Sequence, residues 1–274
     1  MHNPRAPGLL CAWLLLVACN ASGGTRPTVQ QGASPEPAPA VSPEAEPAAS
    51  SQGADDGEGI SPVRHIGIYV HPYYASSARA EDAPTVHVGD RYDALLSSTR
   101  REDVVRARDL IEAEAAHVTP MSMMVLAIRL YDVGLRDEAV MWFYAAKGRY
   151  ITLAEVIDVK ASGLTEVSYT INAFSELVGP FINSYAFCDV DKQQQARRRA
   201  TEWVIAHPYE TIFLDRLVAL PGDRKQNLEK AIGIIREGMI KERTLIEDPK
   251  ALGELKRTRA ERQVDAQFCW EPTP

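Results

Sequence analysis

Residues 119–146 read TPMSMMVLAIRLYDVGLRDEAVMWFYAA, and this segment determines the class of fold. Thr119-Pro120 is a typical helix start, because a capping side chain is followed by proline at the first helical position. The helix that it opens is expected to end at Gly134, and Asp137 can cap a second helix that contains residues 139–146. Two apolar helices joined by so short a turn predict a helical hairpin.

Helix signals continue on both sides of this segment. Thr99 and Glu102 have the spacing of a capping box, which predicts a helix towards residue 115. A further helix is marked by apolar residues at helical spacing and is expected to end at Gly179-Pro180; these residues are Leu164, Val167, Ile171, Phe174 and Val178. Three more helices are expected to begin at Asp189 or Asp191, at Asp223 and at Asp248-Pro249.

Two segments ahead of the helices have strand character. Residues 63–70 alternate and are rich in β-branched side chains, and residues 85–88 follow a proline and end at Gly89-Asp90. We therefore predict a mainly α fold: a compact helical domain over residues 64–274 that contains the αα-hairpin, with a small β-ribbon at its N-terminal edge.

The hairpin resembles a tetratricopeptide or Sel1-type repeat. The matching residues have the small-versus-large spacing by which such helices interlock, and they are Leu126, Ala127, Leu130, Gly134, Ala139, Phe143 and Ala146. Ile151 stands where the family has its closing proline, and no second copy follows about 34 residues later. Since repeat arrays are stabilised by stacking several units, we expect one hairpin and no array.

The first residues predict export and lipid attachment. Residues 1–18 have a weakly basic start and a short apolar core, as a signal peptide does. Leu16-Val17-Ala18-Cys19 resembles the lipobox of bacterial lipoproteins, which implies that Cys19 becomes the acylated first residue and anchors the chain to a membrane. An ordinary signal peptide with an incidental cysteine is the alternative. Asn20 follows in place of the aspartate that retains lipoproteins in the inner membrane, which favours a periplasm-facing outer-membrane location.

Residues 19–63 are expected to form the lipidated cysteine and a disordered tether. Of the 44 residues from 20 to 63, 27 are Ala, Pro, Ser or Gly, so the segment cannot bury enough apolar area to offset its chain entropy. A flexible coil of this length has a root-mean-square reach of roughly 35–40 Å.

Two cysteines remain after the signal and the lipid site, and they are Cys188 and Cys269. In an oxidising compartment such a pair is expected to form a disulfide. The loop of 81 residues that it closes would give a stabilisation of roughly 4.5 kcal/mol in the chain-entropy model. Two buried thiols are the alternative.

No catalytic or cofactor motif stands out. The sequence has no nucleophile elbow, no zincin motif, no glycine-rich phosphate loop and no paired Cys/His spacing, so we predict no enzyme activity, metal or cofactor. The 30 basic residues face 37 acidic ones, and a net charge of −7 argues against nucleic-acid binding.

Residues 130–146 and 182–189 resemble motifs of bacterial envelope proteins, some of which are similar to immunity proteins of type VI secretion phospholipase effectors. The resemblance implies a lipoprotein that binds and neutralises a secreted phospholipase or lipase. Cys188 stands where those proteins are expected to have glycine. An envelope scaffold is the alternative, and an enzyme acting on lipid or peptidoglycan comes third. Aromatic side chains dominate binding hot spots, so we take Tyr73, Tyr74 and Trp270 as candidate anchors.

The lipid assignment is tested by metabolic labelling. Labelled palmitate should enter the wild-type chain and should not enter a Cys19→Ala variant, because that thiol is the predicted acylation site. Equal labelling of the two chains would contradict the lipobox assignment.

Overall fold

The computed structural model describes residues 60–270. In this part of the chain, nine α-helices follow a three-stranded antiparallel sheet, and a short 3-10 helix, Glu210–Phe213, lies between the sixth and seventh helices. The strands are β1 (Tyr69–Val70), β2 (Tyr74–Ala75) and β3 (Thr85–Val86); the helices are α1 (Asp90–Ser97), α2 (Arg101–Ala113), α3 (Pro120–Asp132), α4 (Arg136–Val156), α5 (Thr165–Ala186), α6 (Val190–Ala206), α7 (Arg224–Glu247), α8 (Pro249–Glu261) and α9 (Val264–Phe268). The predicted mainly α fold is confirmed.

Helices α3 and α4 form the predicted hairpin at the centre of the domain. The Thr119 hydroxyl accepts the N–H of Ser122 at 3.1 Å, which caps α3. At the turn Gly134 has a φ of +82°, a backbone conformation that glycine adopts without strain. Helix α4 then packs against α3, α5, α6 and α7. Because nearly every residue of α3 is buried, the hairpin makes a large contribution to the core.

Three of the predicted helix starts are confirmed by side-chain caps. The carboxylates of Asp189, Asp223 and Asp248 accept backbone N–H groups of the helices that follow them, α6, α7 and α8. For α6 this decides between the two aspartates in favour of Asp189. Such caps depend on chemistry within three residues, which is why local sequence predicts them.

Three expected helix boundaries are wrong. Helix α2 has Arg100 at its N-cap with no side-chain bond, so Thr99 caps nothing. Helix α4 starts after Leu135, and the Asp137 carboxylate instead accepts the hydroxyl of Tyr185 at 2.6 Å. Helix α5 continues through Pro180 to residue 186. The proline ring is exposed, while the buried stripe on the other side of α5 runs on to Ile182, so packing maintains the helix.

The sheet at the N-terminal edge has one more strand than expected. Val70 pairs with Tyr74 and Tyr74 pairs with Val86, which places β2 between the two predicted strands. Each strand has only two residues, and just before β1 the carbonyl of Ile68 accepts the N–H of Ser76 at 3.0 Å. The predicted ribbon is therefore present but shorter, and Tyr74 is at its centre.

A buried ion pair fastens these parts to the hairpin. Arg129 and Asp132, at the end of α3, are 2.5 Å apart with side chains only 6% and 4% exposed. Arg129 also donates to the carbonyls of Leu96 and Ser98, and Asp132 accepts the N–H of Ile66 at 2.8 Å. Burial raises the pKa of Asp132, and the Arg129 guanidinium opposes this shift.

A second buried arginine organises the opposite end of the hairpin. Arg149 is fully buried and donates to the carbonyls of Ala115, Val118 and His207. Its guanidinium lies 4.7 Å from the ring centre of Trp203. Burial lowers the pKa of Arg149 to about 10. This side chain therefore holds the loop before α3 against the end of α6.

Removing one member of the Arg129–Asp132 pair should be costly. We expect Arg129→Met to lower the free energy of unfolding by about 3–5 kcal/mol, because it leaves a buried carboxylate without its partner. The matched control is Arg198→Met, whose exposed pair with Glu202 should contribute less than about 1 kcal/mol. Urea unfolding followed by circular dichroism measures both, and equal costs would contradict the assignment.

Candidate protein-binding surface

The two cysteines of the described chain form a disulfide. Cys188 lies between α5 and α6, and Cys269 follows α9, with a Cα–Cα distance of 5.4 Å. The predicted pairing is confirmed. It fastens the C-terminal segment to the body of the domain, where the N–H of Val63 also donates to the carbonyl of Gln267 at 2.9 Å.

Trp270 is held between two arginines. The guanidinium carbons of Arg64 and Arg136 lie 4.4 and 4.1 Å from its ring centre. Arg136 is itself buried and donates to the carbonyls of Phe268 and Trp270. These contacts make the indole an internal clamp for the C-terminal segment, which leaves little of it for a partner.

Of the other two candidate anchors, one is buried. Tyr74 is 1% exposed, and its hydroxyl donates to Asp132 at 3.4 Å. Burial raises the pKa of this phenol. The prediction that Tyr74 is a surface anchor is wrong, because the central position of β2 turns its ring onto the core.

Tyr73 is partly buried and packs against the edge of the core. Burial and the nearby carboxylate of Glu166 together raise the pKa of Tyr73. Since Glu166 is in the first turn of α5, this interaction brings the ribbon beside that helix. Strand β1 also contacts α5 directly.

Strand β1 and α5 are neighbours that each carry an exposed tyrosine, and we name the exposed side chains of the ribbon and α5 the tyrosine face. It comprises Tyr69, His71, Tyr73, Glu166, Tyr169 and Leu177. The rings of Tyr69 and Tyr169 are 64% and 72% exposed, unusually open for large apolar side chains. The imidazole of His71 lies edge-on to Tyr69 at 5.9 Å. Leu177 lies two turns beyond Tyr169 on the same side of α5.

The charge of this face is acidic. Helix α5 carries Glu166 and Glu176 and has no lysine or arginine. Both carboxylates are exposed and lie on the same side of the helix as Tyr169. An acidic, tyrosine-bearing surface is complementary to a basic surface on a partner.

The sequence contains a signal for the two exposed tyrosines. Tyr69 alternates with Ile68 and Val70, both buried, so a period of two places it on the outer side. Tyr169 falls outside the apolar stripe of α5 by the helical period. Both positions could therefore have been selected in place of Tyr74.

An apolar groove lies beside the 3-10 helix. This groove of about 590 Å³ is lined by the end of α2, the end of α6 and the 3-10 helix; its residues are Ala116, Ala206, His207, Pro208, Glu210, Phe213 and Leu214. Phe213 and Leu214 are more than a third exposed, and Val218 nearby is also open to solvent.

The densest cluster of polar side chains is internal. Between α4, α6 and α7, Gln193 donates to the Tyr144 hydroxyl and to Glu242, and Arg197 also bonds Glu242. Burial, with a contribution from Arg197, lowers the pKa of Lys147 to about 8. Most of these groups are hydrogen-bonded to one another, so the cluster connects α4, α6 and α7.

Residues 60–270 contain neither a cluster of metal ligands nor a helix that could span a membrane. No three His, Cys, Asp or Glu side chains converge there as metal ligands. No helix of that part combines the length and apolarity that crossing a bilayer requires. The predicted lipid site Cys19, the signal peptide and most of the tether lie outside the described residues.

Fold and surface together define a mainly helical protein with a disulfide-fastened C-terminal segment and an acidic tyrosine face. The chain is 37% identical over 209 residues to an uncharacterized protein of Haemophilus influenzae strain Rd, across 76% of this chain and 80% of that protein. It belongs to the same family as this protein.

A second relative is formate dehydrogenase H of Escherichia coli, with 27% identity over 142 residues. That match spans 47% of this chain and 20% of the enzyme, so the enzyme's activity is not carried over here. No family model matches the chain, and no solved structure matches it significantly.

Stability measurements distinguish the surface tyrosines from the core tyrosine. Tyr69→Ala and Tyr169→Ala should change the free energy of unfolding by less than about 0.5 kcal/mol, because both rings are exposed. Tyr74→Ala should cost about 3–5 kcal/mol, because it leaves a large cavity and removes a partner of Asp132. Denaturant titration measures all three, and a small cost for Tyr74→Ala would contradict its central place in the core.

Proposed function

We propose that this protein is a lipid-anchored binding protein of the periplasm that neutralises a secreted phospholipase effector through its tyrosine face. The observation that carries the proposal is the exposure of Tyr69 and Tyr169 on neighbouring elements of one acidic surface. Exposed aromatic clusters mark interaction sites, and tyrosine is among the residues that contribute most to binding energy.

The support beneath this face is rigid. Tyr73 packs on the core, Tyr74 is bonded to Asp132, and α5 is buried along its inner side by Ile171 and Phe174. A surface held in this way loses little conformational entropy when a partner binds. An inhibitor gains affinity from such preorganisation without requiring any chemistry of its own.

The charge of the face is suited to rapid capture. Glu166 and Glu176 flank Tyr169 along α5 with no basic residue on that helix. An acidic patch of this kind accelerates association with a basic partner surface and suppresses binding of acidic ones. An effector approaching an anionic bilayer benefits from basic surface residues, so its chemistry would be complementary to this face.

The proposed location follows from the cysteines. A disulfide such as Cys188–Cys269 persists in oxidising compartments, among them the bacterial periplasm. With Cys19 acylated and a tether of 44 residues, the tyrosine face would remain within tens of ångströms of the bilayer that the effector attacks. Confinement of this kind raises the effective concentration of the inhibitor.

The apolar groove favours a second candidate function. Because it lies at the opposite end of the hairpin from the C-terminal segment, it could contact a different partner than the tyrosine face. Two separate binding surfaces are typical of an envelope scaffold, and this is the alternative that we retain.

The proposal is tested with the full chain and a secreted lipase encoded beside its gene. Wild-type protein should bind this lipase at one to one and protect cells that export it. Tyr169→Ala should weaken binding by about 30-fold, which corresponds to about 2 kcal/mol, and should leave the melting temperature unchanged. Phe213→Ala, in the groove, is the matched aromatic control and should bind normally. Loss of binding only in Phe213→Ala would favour the scaffold, and no binding to any adjacent toxin would refute neutralisation.

A further inference from the structure

The disulfide has a buried cation directly beside its sulfur atoms. Arg259 on α8 is 8% exposed, and its Nη2 lies 3.2 Å from Sγ of Cys269 and 3.6 Å from Sγ of Cys188. The same nitrogen lies 3.0 Å from the carbonyl of Ser184. This bond holds the guanidinium in place, so the cation is a fixed part of the disulfide's surroundings.

The carboxylate of Asp265 partly offsets the positive charge of Arg259. Asp265 pairs with Arg259 at 2.7 Å, and its Oδ1 lies 3.5 Å from Sγ of Cys269. Its side chain is 68% exposed, so water weakens its influence, whereas the guanidinium is largely shielded. The net electrostatic effect of Arg259 and Asp265 therefore favours a negative charge on the sulfur of Cys269, as in a thiolate.

Access to the bond is open from one side. Cys188 is exposed to solvent, and Cys269 is partly buried. A thiolate from outside can reach the sulfur of Cys188 first, which makes Cys269 the leaving group. Cys269 is also the closer of the two to Arg259.

We propose that Cys188–Cys269 is a thiol–disulfide exchange site at which an external dithiol reduces the bond and releases the C-terminal segment from the hairpin. The first thiolate of the dithiol attacks Cys188, the S–S bond breaks, and Cys269 leaves as a thiolate beside Arg259. The second thiol of the dithiol then attacks the mixed disulfide and releases Cys188. The dithiol is oxidised to a disulfide, and its two protons pass to the two cysteines. Exchange accelerates as the leaving thiol becomes more acidic, and exposed disulfides are the labile ones.

Reduction has a defined structural consequence. Besides the disulfide, noncovalent contacts hold the segment from α9 to Trp270; they come from Arg64 and Arg136, from the pair of Arg259 with Asp265, from Phe181 with Phe268 at 6.3 Å, and from the backbone bond of Val63. Loss of the covalent link lets the segment separate and uncovers the side of α5 that bears Phe181.

The test compares reduction rates in the full chain. Dithiothreitol at neutral pH reduces the bond, and alkylation followed by mass spectrometry counts the thiols. Arg259→Gln should slow reduction by roughly three- to tenfold, and Asp265→Asn should accelerate it, since the two charges act in opposite directions on the leaving thiolate. Arg257→Gln is the matched control, because Arg257 is on the same helix, is 66% exposed and pairs only with Glu254 and Glu261. It should leave the rate unchanged.

Hydrogen exchange measures the release itself. After reduction, residues 264–270 should lose their protection while α3 and α4 keep theirs. Equal reduction rates in wild type and Arg259→Gln, or a segment that stays protected after reduction, would overturn the proposal. If Arg259→Gln fails to fold, an unchanged rate in Asp265→Asn overturns it alone. Because no effector is present, the outcome is independent of the function proposed above.

Discussion

The buried ion pair between Arg129 and Asp132 is the constraint on which the arrangement of the N-terminal third depends. Through Arg129, the last turn of α3 holds the connection between α1 and α2; through Asp132, it holds the segment before β1 and the ring of Tyr74. Such a pair adds little net stability over an apolar replacement, but each charge accepts only one arrangement of its neighbours. The tyrosine face is oriented by this arrangement, since β1 and β2 reach α5 from it.

The parts of the fold that could be predicted are those determined by nearby residues. Caps at Thr119, Asp189, Asp223 and Asp248 depend on a side chain and an N–H two or three positions away. The sequence identifies three of them and narrows the cap of α6 to Asp189 or Asp191. Pro180 shows the limit. Its local preference is to end a helix, and burial of the opposite side of α5 outweighs that preference.

The candidate binding surface likewise has features that the sequence predicts and features that it does not. The cysteine pairing could be predicted because elimination left two candidates, and the count needs no knowledge of the packing. The candidate aromatic anchors could not be ranked by solvent exposure, because exposure depends on which helices and strands pack against each other. Tyr74 and Trp270 are covered by groups 58 and up to 206 positions away, Asp132 and Arg64 among them. Periodicity would have selected Tyr69 and Tyr169, because a residue opposite a buried stripe needs no distant contact to remain exposed.

The meeting of the two chain ends has a mechanical consequence. Val63 bonds to Gln267 and Arg64 stacks on Trp270, so tension applied to the chain before Val63 is shared with the C-terminal segment. The disulfide links that segment to the connection between α5 and α6, so a covalent cross-link bears part of the pull. The hairpin of α3 and α4 shares this load, because the hydroxyl of Tyr131 in α3 donates to the carbonyl of Val63 at 3.2 Å.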